Sequence, residues 1–110
     1  MSAITTHVLD VSRGCPAAGI AVRLERVGQG LLGQGRTDAD GRLRTLLTEG
    51  ARLEPGSYRL AFDVEDYFAA QGVESFYPTI EVTFFVRDGA QHHHVPVLLS
   101  PFGYSTYRGS

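Results

Sequence analysis

The sequence predicts an all-β protein, an antiparallel β-sandwich with one short helix. Two observations carry this. Apolar residues recur at every second position over several short runs, the period of half-buried strands. Glycine, proline and aspartate cluster between those runs, where a chain reverses. The length of 110 residues sets a single domain over 1–110. Its modest core suits two packed layers.

Ile4 to Leu9 is the first strand, in which Thr6 and Val8 alternate with Thr5, His7 and Leu9. With Val8 turned to the core, His7 and Leu9 face out. A turn at Arg13-Gly14-Cys15-Pro16 leads to a strand over Ile20 to Val27. Ile20, Val22, Leu24 and the aliphatic stem of Arg26 share its inner side. Val27-Gly28-Gln29-Gly30 reverses the chain again. Asp38-Ala39-Asp40-Gly41 then enters a strand with Leu43 inward and Arg42 and Arg44 outward.

After Glu54-Pro55-Gly56-Ser57, Tyr58, Leu60, Phe62 and Val64 alternate as a buried face. Glu65 to Gly72, EDYFAAQG, is the helical segment, acidic at its start and closed by glycine. Ile80, Val82, Phe84 and Val86 form the next apolar face, followed by a turn at Arg87-Asp88-Gly89. The run Gln91 to Ser100, read as a strand, turns His93, Val95, Val97 and Leu99 inward. His92, His94, Pro96, Leu98 and Ser100 share its other face. The proline predicts an edge strand or an interrupted ladder.

Three of the four histidines therefore fall on outward faces beside aliphatic residues. Such a face suits a subunit interface or a binding channel. A lone histidine on a strand is ordinarily a surface residue, and Arg42 and Arg44 alone would be solvated charges. His92 and His94, with His7 nearby, would offer three imidazoles to zinc. No Asp, Glu or Cys completes a known spacing, so no metal is expected. The Asp38–Asp40 turn lacks the ligands of a calcium loop. Cys15 has no base linked to it by any motif. Nucleophile-elbow, phosphate-loop and zinc-protease motifs are absent.

The net charge is −2 without a basic stripe, which argues against nucleic acid as a partner. No apolar run reaches membrane-spanning length, so no membrane partner is expected. One cysteine allows no internal disulfide. With no basic-then-apolar leader, a cytoplasmic setting is expected.

Several stretches together resemble the 5-hydroxyisourate hydrolase family, the transthyretin-related enzymes of urate breakdown. They are Thr6-His7-Val8-Leu9-Asp10 with Gly14-Cys15-Pro16-Ala17, the Thr37-to-Arg42 turn, and His92 through Pro101. The most specific is the closing Tyr107-Arg108-Gly109-Ser110, which transthyretin, the hormone carrier on the same fold, lacks. The resemblance runs over essentially the whole chain.

It implies two four-stranded antiparallel sheets and one short helix, assembled as a homotetramer whose outer faces line a channel. It implies a small purine-derived substrate, 5-hydroxyisourate, and hydrolytic opening of its six-membered ring without a cofactor. Carried over residue by residue, it implies catalytic roles for His7, Arg42 and His94. It implies substrate binding by His92, Tyr107, Arg108, Gly109 and Ser110. His93 departs from the aromatic residue that many members carry there. The alternative on this fold is a carrier of a small aromatic ligand.

Overall fold

The computed structural model of the chain describes residues 2–110. Among the described residues, nine strands and a helix follow in order: β1 (Ile4–Asp10), β2 (Cys15–Pro16), β3 (Ala21–Arg26), β4 (Gly30–Arg36), β5 (Arg42–Leu43), β6 (Gly56–Asp63), α1 (Glu65–Ala69), β7 (Thr79–Val86), β8 (His93–Ser100) and β9 (Gly103–Thr106). The alternating runs read from sequence all become strands, within a residue or two at their ends. One sheet runs β4-β3-β6-β7 and is antiparallel throughout. The other runs β2-β1-β8-β9, with β5 pairing β1 beyond the end of β2.

That second sheet is mixed, where two antiparallel sheets were expected. β1 and β8 lie parallel, from Ile4↔His93 to Asp10↔Leu99. Parallel neighbours require a long crossover, and here nearly the whole chain, including the other sheet, serves as that connection. Strand alternation cannot reveal pairing direction, so the sequence carried no sign of it.

Pro96 was expected to mark an edge strand or an interrupted ladder, and the second holds, since β8 is central, between β1 and β9. The ladder to β9 stops at Val97↔Thr106 and resumes as one bridge at His94↔Gly109, in the same register. The missing proline N–H thus falls in a gap of the ladder, and Thr106 Oγ1 donates to the Pro96 carbonyl at 2.7 Å. The proline interrupts the ladder without moving the strand to the edge.

The core lies between the sheets. Val8, Val97 and Leu99 from one face Val22, Leu24, Leu60 and Phe62 from the other, all at most 1% exposed. Burying such a side chain contributes about 1.5–3 kcal/mol. Helix α1 is too short to persist alone. Phe68, 1% exposed, anchors it to the core, and Glu65 and Asp66 suit the positive end of its dipole. Arg26 extends over the Tyr58 ring at 5.9 Å, in keeping with its inward stem.

Strand β4 was not anticipated, because its sequence GLLGQGR holds three glycines and lacks alternation. Packing is the reason for one of them. A Cβ on Gly33 would stand 1.8 Å from the Leu46 carbonyl oxygen, so the strand passes under that loop only with glycine there.

Candidate active site

Two rows of side chains cross the outer face of the mixed sheet. In-register neighbours on adjacent strands share a face. One row is Arg42, His7 and Pro96, from β5, β1 and β8. The other is Thr5, His94 and Gly109, from β1, β8 and the closing segment.

The turn before β5 fixes Arg42. The Asp38 carboxylate accepts from the backbone N–H of Asp40 at 2.9 Å and of Arg42 at 3.0 Å. The Arg42 bond, more than the Asp40 bond and the charges of Arg44 and Arg42, holds the Asp38 carboxyl below its ordinary value. Gly41 completes the turn at φ 76°, with room for a Cβ denied by the Val8 carbonyl at 2.3 Å. Both facts select glycine. His7 Nε2 donates to the Asp40 carbonyl at 2.9 Å. A carbonyl only accepts, so this bond places the proton of neutral His7 on Nε2.

His94 is half-buried and His92 exposed. Their rings lie nearly parallel, 6.4 Å apart with an 18° interplanar angle. Thr5 Oγ1 sits between them, 3.1 Å from His92 Nε2 and 2.8 Å from His94 Nδ1. Burial pushes the His94 pKa below its ordinary value, and the nearby charges of His92, Arg42, His7 and Arg44 lower it further. The imidazole is therefore neutral at pH 7. Nδ1 is engaged by Thr5, and Nε2 has no hydrogen-bond partner among the described residues.

His93 lies on the opposite face, 4% exposed, beside Phe84 with centroids 6.5 Å apart. Its Nδ1 donates to the Gln91 carbonyl at 3.0 Å, and burial keeps it neutral. It is a core residue, as its inward position predicted.

Thr5, Thr6, Arg42, Arg44, His92, His94 and Ser110 surround a cleft of about 200 Å³. The fold thus gathers four of the anticipated residues: Arg42, His92, His94 and Ser110. Gly109 stands directly behind them. Its N–H donates to the His94 carbonyl at 2.8 Å, and a Cβ there would lie 2.6 Å from His94 Cδ2. His7 sits one row away, outside the wall of this cleft. Tyr107 and Arg108 line a neighbouring groove of about 280 Å³ with Phe84, Phe85 and the other side of His94. Arg108 Nη2 donates to Gln91 Oε1 at 3.2 Å.

The chain matches the family model described as HIUase/Transthyretin over residues 4–109. It belongs to the HIUase/transthyretin family. It is 48% identical to the 5-hydroxyisourate hydrolase of Caulobacter vibrioides, over 100% of both chains. The structure of Klebsiella pneumoniae 5-hydroxyisourate hydrolase superposes with a TM-score of 0.86 at 39% identity, covering 97% of this chain and 92% of that one. Sea bream transthyretin in complex with thyroxine superposes at 0.89 with 32% identity, over 98% and 95% of the two chains.

Of the residues around the cleft, Thr5 and Arg44 were given no role from sequence. Arg44 alternates with Leu43 and was already outward. Thr5 shares the outward face of His7 in the first strand. That spacing was legible, but its contact with two histidines 87 and 89 positions away depends on the parallel pairing. No helix among the described residues is long and apolar enough to cross a membrane.

Proposed function

We propose that the chain is a 5-hydroxyisourate hydrolase whose active site is this cleft, with His94 as the base. The observation that carries the reading is a half-buried imidazole facing two arginines across the cleft, its pKa pushed below the ordinary value first by burial. Amide hydrolysis needs a stronger nucleophile than water and a place for the charge that develops on the attacked carbonyl. His94 Nε2 takes a proton from the attacking water, a task suited to a group titrating near neutrality. Arg42 offsets the growing oxyanion. Arg44, His92 and Ser110 hold the polar edges of the purine-derived ring and align the carbonyl with the water. His7, held by the Asp40 carbonyl, keeps Arg42 and the turn in place. The proton on His94 then passes to the leaving nitrogen as the ring opens. Full-length identity to hydrolases of this specificity supports the substrate.

A cleft of about 200 Å³ is smaller than the roughly 300–1,000 Å³ of most small-molecule sites. A homotetramer with these outer faces apposed would deepen it. It would also bring Tyr107 and Arg108 of the closing segment toward a shared pocket as substrate-binding groups. The chemistry requires no metal or organic cofactor.

The likeness to the thyroxine-bound sea bream protein supports a second reading, a carrier of an aromatic ligand. The polar lining of the cleft favours the hydrolase. The test is the decay of 5-hydroxyisourate, generated from urate by urate oxidase and followed by absorbance. The protein accelerates decay, and His94→Ala removes about 10²–10⁴-fold of the rate. Spontaneous decay with the folded wild type, together with tight binding of an iodinated phenol, would favour the carrier.

A further inference from the structure

Thr5 lies on the outer face of its sheet yet is only 2% exposed, being in contact with both His92 and His94. Its Oγ1 is within hydrogen-bond reach of His92 Nε2, at 3.1 Å, and of His94 Nδ1, at 2.8 Å. A hydroxyl has one proton to give and lone pairs for two acceptor bonds. A neutral imidazole has one N–H and one bare nitrogen. These counts leave two ways to make both bonds and use the hydroxyl proton in one of them.

In the first, His94 Nδ1–H donates to Oγ1 and the hydroxyl proton goes to His92 Nε2. His92 must then carry its own proton on Nδ1. In the second, His92 Nε2–H donates to Oγ1 and the hydroxyl proton goes to His94 Nδ1. His94 must then carry its proton on Nε2. The two rings are thus both Nδ1–H or both Nε2–H. A mixed pair either sets two bare nitrogens against one proton or leaves a buried hydroxyl proton without an acceptor. Either arrangement forfeits a hydrogen bond at a hydroxyl that is only 2% exposed.

We propose that Thr5 is a positioning residue that forces His92 and His94 into the same tautomer, Nδ1–H in the form that presents His94 Nε2 bare to the cleft. The matching follows from the contacts alone. The choice of Nδ1–H as the active form rests on the hydrolase reading, in which His94 Nε2 is the base. His92 thereby affects catalysis without touching the reacting atoms, by setting what the hydroxyl can offer His94.

The experiment is a long-range ¹H–¹⁵N correlation spectrum of histidine-labelled protein, recorded well above the imidazole pKa, beside turnover assays. Wild type and Thr5→Ser are expected to show both rings as Nδ1–H. Thr5→Val, equal in shape but without the hydroxyl, is expected to break the match. It is expected to lower kcat at least about tenfold, the kind of loss a wrong tautomer causes, with KM changed little. Thr5→Ser is expected to stay near the wild-type rate.

Different tautomers on His92 and His94 in the wild type would overturn the proposal. So would a match that survives in Thr5→Val. Two Nε2–H rings would keep the matching and overturn the assigned active form. Should Thr5→Val not fold, the wild-type and Thr5→Ser spectra still decide. Matched rings in a protein that does not hydrolyse 5-hydroxyisourate would refute the function and leave the coupling standing.

Discussion

Gly109→Ala tests whether the closing segment sets the active geometry. The added Cβ would lie 2.6 Å from His94 Cδ2 and 3.1 Å from Pro96 Cγ. Carbon atoms rest at roughly 3.5–4.0 Å, so about 1 Å of movement must be found. Pro96 is buried in a central strand and gives little. The movement falls on the His94 ring or on the closing segment that carries Ser110, and both bound the cleft. A displacement of about 1 Å at a reacting group costs on the order of 10²-fold, close to 2.7 kcal/mol of barrier.

The bridge at Gly109 is a single backbone hydrogen bond at the sheet margin, so the thermal midpoint should shift by only a few degrees. Gly103→Ala is the control. It lies in β9 of the same hairpin, and a Cβ there meets nothing closer than Ser100 Oγ at 3.8 Å. The assay is the initial rate of 5-hydroxyisourate decay beside a thermal melt. A Gly109→Ala protein with the wild-type rate would refute the argument. So would equal losses in both variants.

Other outcomes follow from the same structure. Arg42→Gln should lower kcat/KM by roughly 10²–10³-fold if the guanidinium meets the oxyanion. It should also move the acid limb of the kcat/KM profile. His94 is held below its ordinary value of 6.5 by burial and by nearby positive charge including Arg42. The wild-type limb should thus lie below pH 6.5, and Arg42→Gln should shift it upward; an unmoved limb would remove His94 as the titrating base.

Tyr67→Phe should destabilise the fold by about 1–3 kcal/mol in denaturant titration. The Tyr67 hydroxyl donates at 2.8 Å to Asp10, a residue with no exposed surface. Burial alone would raise the Asp10 pKa, but hydrogen bonds from Ser12, Tyr67 and Arg13 together hold it below 3.8. That contribution is present above the unfolded value and is lost as pH falls through the folded one. The gap between wild type and Tyr67→Phe should therefore narrow in strong acid.

The strands and their inward faces were legible because burial imposes period two on the residues themselves. Tyr58, Leu60 and Phe62 announce a core face without any partner in view. The outward placement of His7, Arg42 and His94 followed from the same alternation. A resemblance to known sequences was needed to connect them, since alternation assigns a face and no neighbour.

What tertiary structure decided is which faces lie side by side. The parallel pairing of β1 with β8 joins residues nearly 90 positions apart, and local pattern holds no record of such a pairing. It alone sets Thr5 between His92 and His94. It also lets Pro96 occupy a central strand, with its absent donor opposite a gap in the next ladder. Strand β4 escaped notice for a related reason. Its Gly33 answers to the Leu46 carbonyl above it, a constraint from packing that leaves no hydrophobic period behind. Sequence therefore determined which side of each strand meets water, because transfer from water acts residue by residue. The site itself depends on strand order and register, which are properties of the folded sheet.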